Sequence, residues 1–157
     1  MRRFFVGLMV VGLLFAAAPA NATPPQRETE RFSFSLSADC GSFVDNYQGT
    51  GTIRVTTFFN ADGDAIVEHF RVMQRETDTN SVTGKTIRVN SSWTEMADLQ
   101  TGITRTAGQT FMGVGKGANV IHETGLVILD SDGGVIRVAG PHTVLEGGAE
   151  PFCQALS

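Results

Sequence analysis

Basic side chains and regular repeats are scarce in this chain, and each scarcity excludes a class of protein. Only 12 of the 157 residues are basic, against 16 acidic, so the formal charge is −4 and the pI about 5.3. This balance argues against nucleic acid and anionic membrane surfaces as partners. The chain has no glycine period and no heptad, and 41% of its residues are apolar. Collagen-like, coiled-coil and disordered classes are therefore excluded, and one globular domain is expected.

Long apolar runs are also scarce, since the only one lies at the start of the chain. Residues 4–15 are almost wholly apolar, follow Arg2 and Arg3, and lead into small residues that end at Ala22. This order is typical of a secretory signal peptide. The run is shorter than the roughly 20 residues that a membrane-spanning helix needs. We predict a signal peptide over 1–22, no membrane span and a secreted, extracellular protein. Cleavage of this peptide removes Arg2 and Arg3 and lowers the formal charge of the protein from −4 to −6.

Cysteine occurs only twice, at Cys40 and Cys153, near the two ends of the expected mature chain. An even cysteine count without a CxxC motif, in an exported protein, favours a disulfide over a metal or redox site. We predict that the two cysteines pair within the chain. An intermolecular bridge and two free thiols are the alternatives.

The apolar residues of the remaining chain recur mostly at every second position, which is the period of a β-strand. Residues 23–29 are polar and contain two prolines, so we expect a disordered lead there and a single domain over 30–157. In the strand that contains Ile53 and Val55, the intervening Arg54 is expected to face solvent. The segments 60–64, 80–85 and 130–134 have the composition of turns and predict hairpins.

Eight or nine strands at hairpin spacing predict an all-β fold. We favour an antiparallel meander β-barrel, because closure removes exposed sheet edges, and we keep a two-sheet β-sandwich as the alternative. Helical periodicity is found only at the end of the chain, where Pro151 begins a short turn that places Phe152 and Leu156 on one face beside Cys153.

Residues with metal-binding or catalytic chemistry are present, but their spacing is not diagnostic. The histidines are His69, His122 and His142. Adjacent strand residues face opposite ways, so a histidine and its neighbouring glutamate cannot both reach one site. The aspartates of the 60–64 and 130–134 turns resemble fragments of calcium loops without the closing glutamate. The glycines at 113, 115 and 117 are not followed by a helix that could bind a phosphate. No metal and no cofactor are predicted.

Three residues are the candidates for a binding pocket. Glu68 lies in phase with Ile66 and Phe70, so its carboxylate is desolvated if that face is internal. Phe70 and Trp93 would then supply apolar walls. The alternative is that this face of the strand points to solvent.

Several short segments resemble a family of small exported bacterial proteins that have no established activity. They comprise Cys40 with its following glycine, the hairpin 58–64, Thr83-Gly84-Lys85, the stretch 123–136, and Ala139 to His142 followed by Cys153 and Leu156. The stretch 96–110 departs from the pattern. The resemblance implies export and a β-rich domain with a terminal bridge, and it carries over no catalytic residues.

Three functions follow from this sequence. The first is a β-barrel that binds a small, mostly apolar ligand. The second is an extracellular surface or interaction module without a pocket. The third, an enzyme, rests on analogy between folds alone and is the least supported. A cavity of a few hundred Å³ distinguishes the first function from the second.

Overall fold

The computed structural model of the protein describes residues 23–114 and 120–157. The predicted signal peptide over 1–22 and the glycines at 115 and 117 lie outside these residues. Within them the chain forms seven strands and two short helices. In chain order these are β1 (Gln26–Asp39), β2 (Val44–Phe59), β3 (Ala65–Asn80), β4 (Thr86–Asp98), β5 (Thr104–Val114), β6 (Val120–Leu129), β7 (Val135–Ala139), α1 (Thr143–Gly147) and α2 (Glu150–Leu156).

All seven strands belong to one antiparallel sheet, in which each strand pairs with its neighbours in sequence. The predicted all-β meander is confirmed. The sheet is not closed, because β1 and β7 lie at its two edges, so the predicted barrel is not shown. The described strands do not divide into the two sheets of a sandwich either. Seven strands are described where eight or nine were expected, and β2 and β3 are the longest of them, with 16 residues each.

The first strand begins earlier than the sequence predicts. Residues 26–29, part of the expected disordered lead, pair with the far end of β2, where Gln26 lies opposite Thr57. Two prolines and a lack of apolar residues indicated disorder. Backbone pairing along the whole length of β2 provides hydrogen-bond partners that composition alone does not reveal.

The three predicted hairpin turns are confirmed, and a short aspartate or asparagine loop forms each one. Asn60 Oδ1 accepts hydrogen bonds from the backbone N–H groups of Asp62 and Asp64. Asp130 Oδ1 accepts from those of Asp132 and Gly134. Asn80 Oδ1 accepts from Val82 and Thr83. These side chains therefore stabilise the turns through hydrogen bonds to the turn backbone, as the composition of the three segments predicts.

The two faces of the sheet carry opposite charges. The register places all six strand glutamates on the face that holds Val72 and Ile87, which we call the cleft face. It places all eight strand arginines on the other face, which we call the arginine face. The glutamates are Glu28, Glu30, Glu68, Glu76, Glu95 and Glu123, and the arginines are Arg27, Arg31, Arg54, Arg71, Arg75, Arg88, Arg105 and Arg137.

The core lies at one end of the cleft face, where α2 packs against β2, β3, β4 and β6 and α1 packs against β6. Its buried residues are Phe43, Ile87, Val89, Ile121, Cys153, Ala155 and Leu156. The predicted helical turn is confirmed as α2, which has Pro151 in its first turn. The predicted disulfide between Cys40 and Cys153 is present and joins α2 to the turn between β1 and β2. The side-chain amide of Asn80 donates to the Leu156 carbonyl and ties α2 to the end of β3.

Candidate functional site

A cleft of about 430 Å³ lies on the cleft face, between β1 to β3 and the segment that joins the two helices. Strands β1 to β3 supply most of its lining, and β5 and the helical segment complete it. The lining residues are Phe34, Leu36, Ala38, Asp45, Tyr47, Gln74, Glu76, Asp78, Phe111, Gly148, Ala149 and Phe152. Aromatic and aliphatic groups thus surround a small set of polar side chains, which is the usual composition of a small-molecule site.

Two glycines of β2 allow aromatic rings to lie across the sheet beside this cleft. Phe34 is paired with Gly49, and Phe32 with Gly51. A Cβ atom at Gly49 would come within 2.5 Å of Phe34 Cζ, so any side chain there would displace the ring. The Phe34 ring also makes an edge contact with Tyr47, with ring centroids 6.4 Å apart. The glycines therefore position an aromatic wall of the cleft.

The helices supply the opposite wall. Phe152 of α2 contacts Phe111 of β5 edge to face, with ring centroids 5.6 Å apart. Because Cys153 is the next residue, the disulfide to Cys40 fixes the helix that carries this ring. The cleft is thus assembled from segments far apart in sequence.

Three carboxylates lie together in the cleft. Glu76 and Asp78 alternate on β3, and Asp45 on β2 is opposite Asn80, one diagonal step from Asp78. Asp45 and Asp78 are only 2% and 1% exposed, and Glu76 is 8% exposed. The residues directly opposite Asp78 on the neighbouring strands are Tyr47 and Ile87, neither of which carries a charge.

These carboxylates lack the partners that buried charges normally have. In the described part of the chain, both oxygens of Asp78 and Oδ1 of Asp45 have no hydrogen-bond partner. Glu76 accepts one hydrogen bond, at 2.9 Å, from the Gln74 side chain. No Arg, Lys or His among residues 23–114 and 120–157 forms an ion pair with any of the three. Buried carboxylates without cationic partners carry a large desolvation cost.

That environment changes the acidity of the whole group. Burial, together with the charges of Glu76 and Asp45, raises the pKa of Asp78 to about 8. Burial also raises the pKa values of Glu76 and Asp45 above their ordinary range. Near neutral pH the cluster therefore retains a proton that exposed carboxylates would have lost.

The residues proposed from sequence lie on the same face but farther along the strands. Glu68, Phe70 and Trp93 are half-buried on β3 and β4, and Trp93 is opposite Val72. None of the three lines the cleft described above. Alternation places Glu68 on the same face as Glu76 and Asp78, which lie eight and ten residues farther along β3, nearer the helices.

Glu123 of β6 and His142, which precedes α1, lie close together. His142 Nδ1 lies 3.9 Å from Glu123 Oε1, too far for a hydrogen bond. Glu123 Oε2 accepts the backbone N–H groups of Val144 and Leu145, at 2.6 and 2.9 Å. Glu123 therefore caps the start of α1, which accounts structurally for its burial.

No group of three or more His, Cys, Asp or Glu side chains with the geometry for a metal ion is found within the described ranges. The side-chain oxygens of Asn60 and Asp130 are instead used by their own turns. His69 and His122 lie exposed on the arginine face.

The sequence contains a signal for the carboxylate cluster in the alternation of β3. Alternation predicts a strand over 65–73 in this part of the chain, and Glu76 and Asp78 continue the phase of its Phe70 and Val72 beyond that end. Extending that strand to Asn80 would have placed both carboxylates on the internal face. The proximity of Asp45 depends on the register between β2 and β3, which alternation alone does not fix.

Comparison of the chain with protein-family models, curated proteins and solved structures gave no significant match. Within residues 23–114 and 120–157, no helix combines the length and the apolar composition required to cross a membrane.

Proposed function

We propose that this protein binds a small ligand that has an apolar body and a cationic end. The observation that carries the proposal is the buried group of Asp45, Glu76 and Asp78, which opens into an aromatic cleft and has no cationic partner in the described chain. An ammonium or amidinium group of a ligand would supply the charge that the protein does not.

The chemistry of the carboxylates selects a cation over other polar groups. An anion would be repelled, and a neutral hydroxyl would leave most of the carboxylate oxygens unpaired. A cation gains charge-assisted contacts with the carboxylates in a site of low dielectric. The rings of Phe34, Tyr47 and Phe152 provide faces on which such a group is further stabilised.

The walls of the cleft account for the apolar body. Leu36, Ala38 and the aromatic rings cover most of the cleft, and its volume suits one small molecule. This supports ligand binding over an interaction module without a pocket. Closure of the sheet into a barrel is not required, since β1 to β3 and the helical segment suffice to form the cleft.

Export remains part of the proposal. The Cys40–Cys153 disulfide supports it, because disulfides persist in oxidising compartments. The resemblance to small exported bacterial proteins is in accord with the same location.

The direct test is calorimetric titration with three probes of equal chain length that differ in charge: octyltrimethylammonium, 1-octanol and octanoate. We expect the ammonium probe to bind at least about tenfold more tightly than the alcohol at pH 8, and octanoate to bind most weakly. Equal affinities for the ammonium and the alcohol would refute the cationic end. Failure of every probe to bind would refute the ligand-binding function itself.

Two variants localise the binding. Asp78→Asn should weaken the ammonium probe and leave the affinity for 1-octanol unchanged. The matched control is Glu28→Gln, which removes an exposed carboxylate on the same face outside the cleft and should change neither affinity. If both variants weaken the ammonium probe equally, the general negative charge of the protein is responsible and the cleft is not.

A further inference from the structure

The arginine face is an exposed cationic surface on a protein whose net charge is negative. All eight strand arginines lie on it, and the only strand carboxylates that share it, Asp39 and Asp98, are at strand ends. Six of these arginines are exposed and lie on β1 to β4. They are Arg27, Arg31, Arg54, Arg71, Arg75 and Arg88.

The strand register brings these charges close to one another. Arg54 lies directly opposite Arg71. Arg54 also pairs with Thr29, so Arg31 is its diagonal neighbour on β1. Arg75 pairs with Asn90, which makes Arg88 its diagonal neighbour on β4. From β1 to β4 the charges cover about 15 Å, three strand spacings.

These arginines are not neutralised within the protein. Among the described residues none of them forms an ion pair. Like charges directly opposite each other on neighbouring strands destabilise a sheet, so the Arg54–Arg71 pair has a cost in the isolated protein. Anionic groups bound between the two guanidinium groups would remove that cost.

Large apolar side chains are exposed on the same face. Phe58, Met73 and Met96 are 39%, 44% and 38% exposed. Met73 lies two residues from both Arg71 and Arg75 on β3. Met96 lies opposite His69 on the neighbouring strand. Apolar groups interspersed with arginines are typical of surfaces that bind at a lipid–water interface.

The distribution of charge explains how an acidic protein can have such a surface. The strand glutamates lie on the other side of the sheet, and at physiological salt charges farther away than about 8 Å are largely screened. An approaching anionic surface therefore responds first to the arginines and not to the net charge.

We propose that the arginine face docks on anionic lipid bilayers, with guanidinium groups on lipid phosphates and the exposed Phe and Met side chains at the headgroup level. A shallow depression lined by Arg31, Thr50, Arg75 and Asn90 offers both charge and hydrogen-bond donors to the headgroups. Nucleic acid is less well matched, since stacking on bases requires aromatic rings and, within the described residues, Phe58 at 39% is the only exposed ring on this face.

The test is flotation of the protein with vesicles of phosphatidylcholine alone and with added phosphatidylglycerol, at about 50 mM and about 500 mM salt. We expect binding to the anionic vesicles at low salt, and loss of binding at high salt. The double substitution Arg54→Gln and Arg71→Gln should weaken it about thirtyfold. Both proteins are compared in the exported form, without the predicted signal peptide 1–22, because its apolar segment would itself insert into vesicles.

A matched pair of substitutions separates the face from the net charge. Glu28→Gln with Glu30→Gln changes the net charge by two in the opposite direction, but on the cleft face, and should leave binding nearly unchanged. Equal binding to both kinds of vesicle, or no effect of the arginine substitutions, would overturn the proposal. Circular dichroism of each variant establishes that it has folded.

Two other partners are outcomes of the same test. Binding of duplex DNA at least as tightly as anionic vesicles, at the same salt, would assign the face to nucleic acid and overturn the lipid proposal. Self-association that disappears with the arginine substitutions would indicate that the acidic cleft face of another copy is the partner, and would overturn it as well.

Discussion

Asp78 shows at the scale of one residue how a strand pattern can impose an unfavourable environment on a side chain. The alternation of β3 directs it inward, and its neighbours across the sheet are Tyr47 and Ile87. Its carboxyl group is nearly inaccessible and has no hydrogen-bond donor in the described structure. A group of this kind weakens the fold when it ionises, and such costs are characteristic of binding sites.

The pH dependence of stability follows from the sign of this pKa change. Burial first, and then the charges of Glu76 and Asp45, raises the pKa of Asp78 to about 8 in the folded protein. The unfolded chain has the ordinary value, near 4. The contribution of Asp78 to stability is therefore fully present below about pH 4 and is lost as the pH rises through about 8.

We predict that Asp78→Asn stabilises the protein at high pH. The variant should exceed the parent in free energy of unfolding by about 2 kcal/mol or more at pH 9, and show no gain at pH 4, because the amide cannot ionise. Urea unfolding at both pH values measures this difference. Glu28→Gln, at an exposed position, is the control and should show no such gain. A variant less stable than the parent at pH 9 would mean that Asp78 has a partner that stabilises its charge.

The sequence predicts which strand residues share a face of the sheet, but it does not predict which of them another element covers. Glu68 and Glu76 have the same phase on β3, yet only Glu76 lies beneath the helical segment. The difference depends on where α2 packs, which the disulfide and the contact between Asn80 and Leu156 determine. Sequence periodicity contains neither of these long-range contacts.

At the scale of elements, two turns of the chain share one sequence pattern. They are the β3–β4 turn, Asn80 to Gly84, and the β4–β5 turn, Asp98 to Gly102. In each, an Asn or Asp is followed three residues later by threonine and four residues later by glycine. In both, the first side chain accepts backbone N–H groups two and three residues later, and the glycine N–H donates to the first carbonyl. The similarity of the second turn to the first is visible in the sequence and predicts a second turn of the same kind.

We predict that alanine substitution distinguishes these two turns. Gly84 and Gly102 both have positive φ, 69° and 71°, so alanine costs about 1 kcal/mol at either. A Cβ at Gly84 has no atom within 4 Å, whereas one at Gly102 lies 2.7 Å from Ser131 Cβ. Gly102→Ala should therefore lose at least about 1 kcal/mol more in urea unfolding.

The contact between the two turns can be tested on its own. Adding Ser131→Gly to Gly102→Ala removes the nearest atom that the new Cβ would meet and leaves Ser131 Cα at 3.1 Å, so most of the extra loss should disappear. Equal losses for Gly84→Ala and Gly102→Ala would show that the β4–β5 and β6–β7 turns do not pack together in solution.

At the scale of the whole molecule, the hydrophobic core occupies only one end of a long sheet. Ile87, Val89, Ile121 and Leu156 are nearly inaccessible there, whereas the apolar residues of the far end are mostly half-buried. The all-β class was predictable because alternation is a local property, and the disulfide was predictable because a chain with two cysteines has only one possible intramolecular pairing. Closure of the sheet was not, because it depends on the twist and curvature of all seven strands together.

We predict that the disulfide provides a large part of the stability of this arrangement. It closes a loop with a sequence separation of 113 residues and fixes α2 over the core. Replacing both Cys40 and Cys153 by serine should lower the free energy of unfolding by about 4 kcal/mol, measured in urea against the oxidised parent. The oxidised parent in reducing agent should behave like the variant. Identical unfolding midpoints would mean that packing alone holds α2.

The central claim is that ionised carboxylates of the cleft bind a cation, and the affinity of octyltrimethylammonium as a function of pH tests it most directly. The probe carries a permanent charge, so any change with pH between 6 and 9 reports the protein. We predict binding at least about fivefold tighter at pH 9 than at pH 6 for the parent, and a flat profile for Asp78→Asn. An affinity that is independent of pH in the parent, or equal slopes in both proteins, would contradict the account.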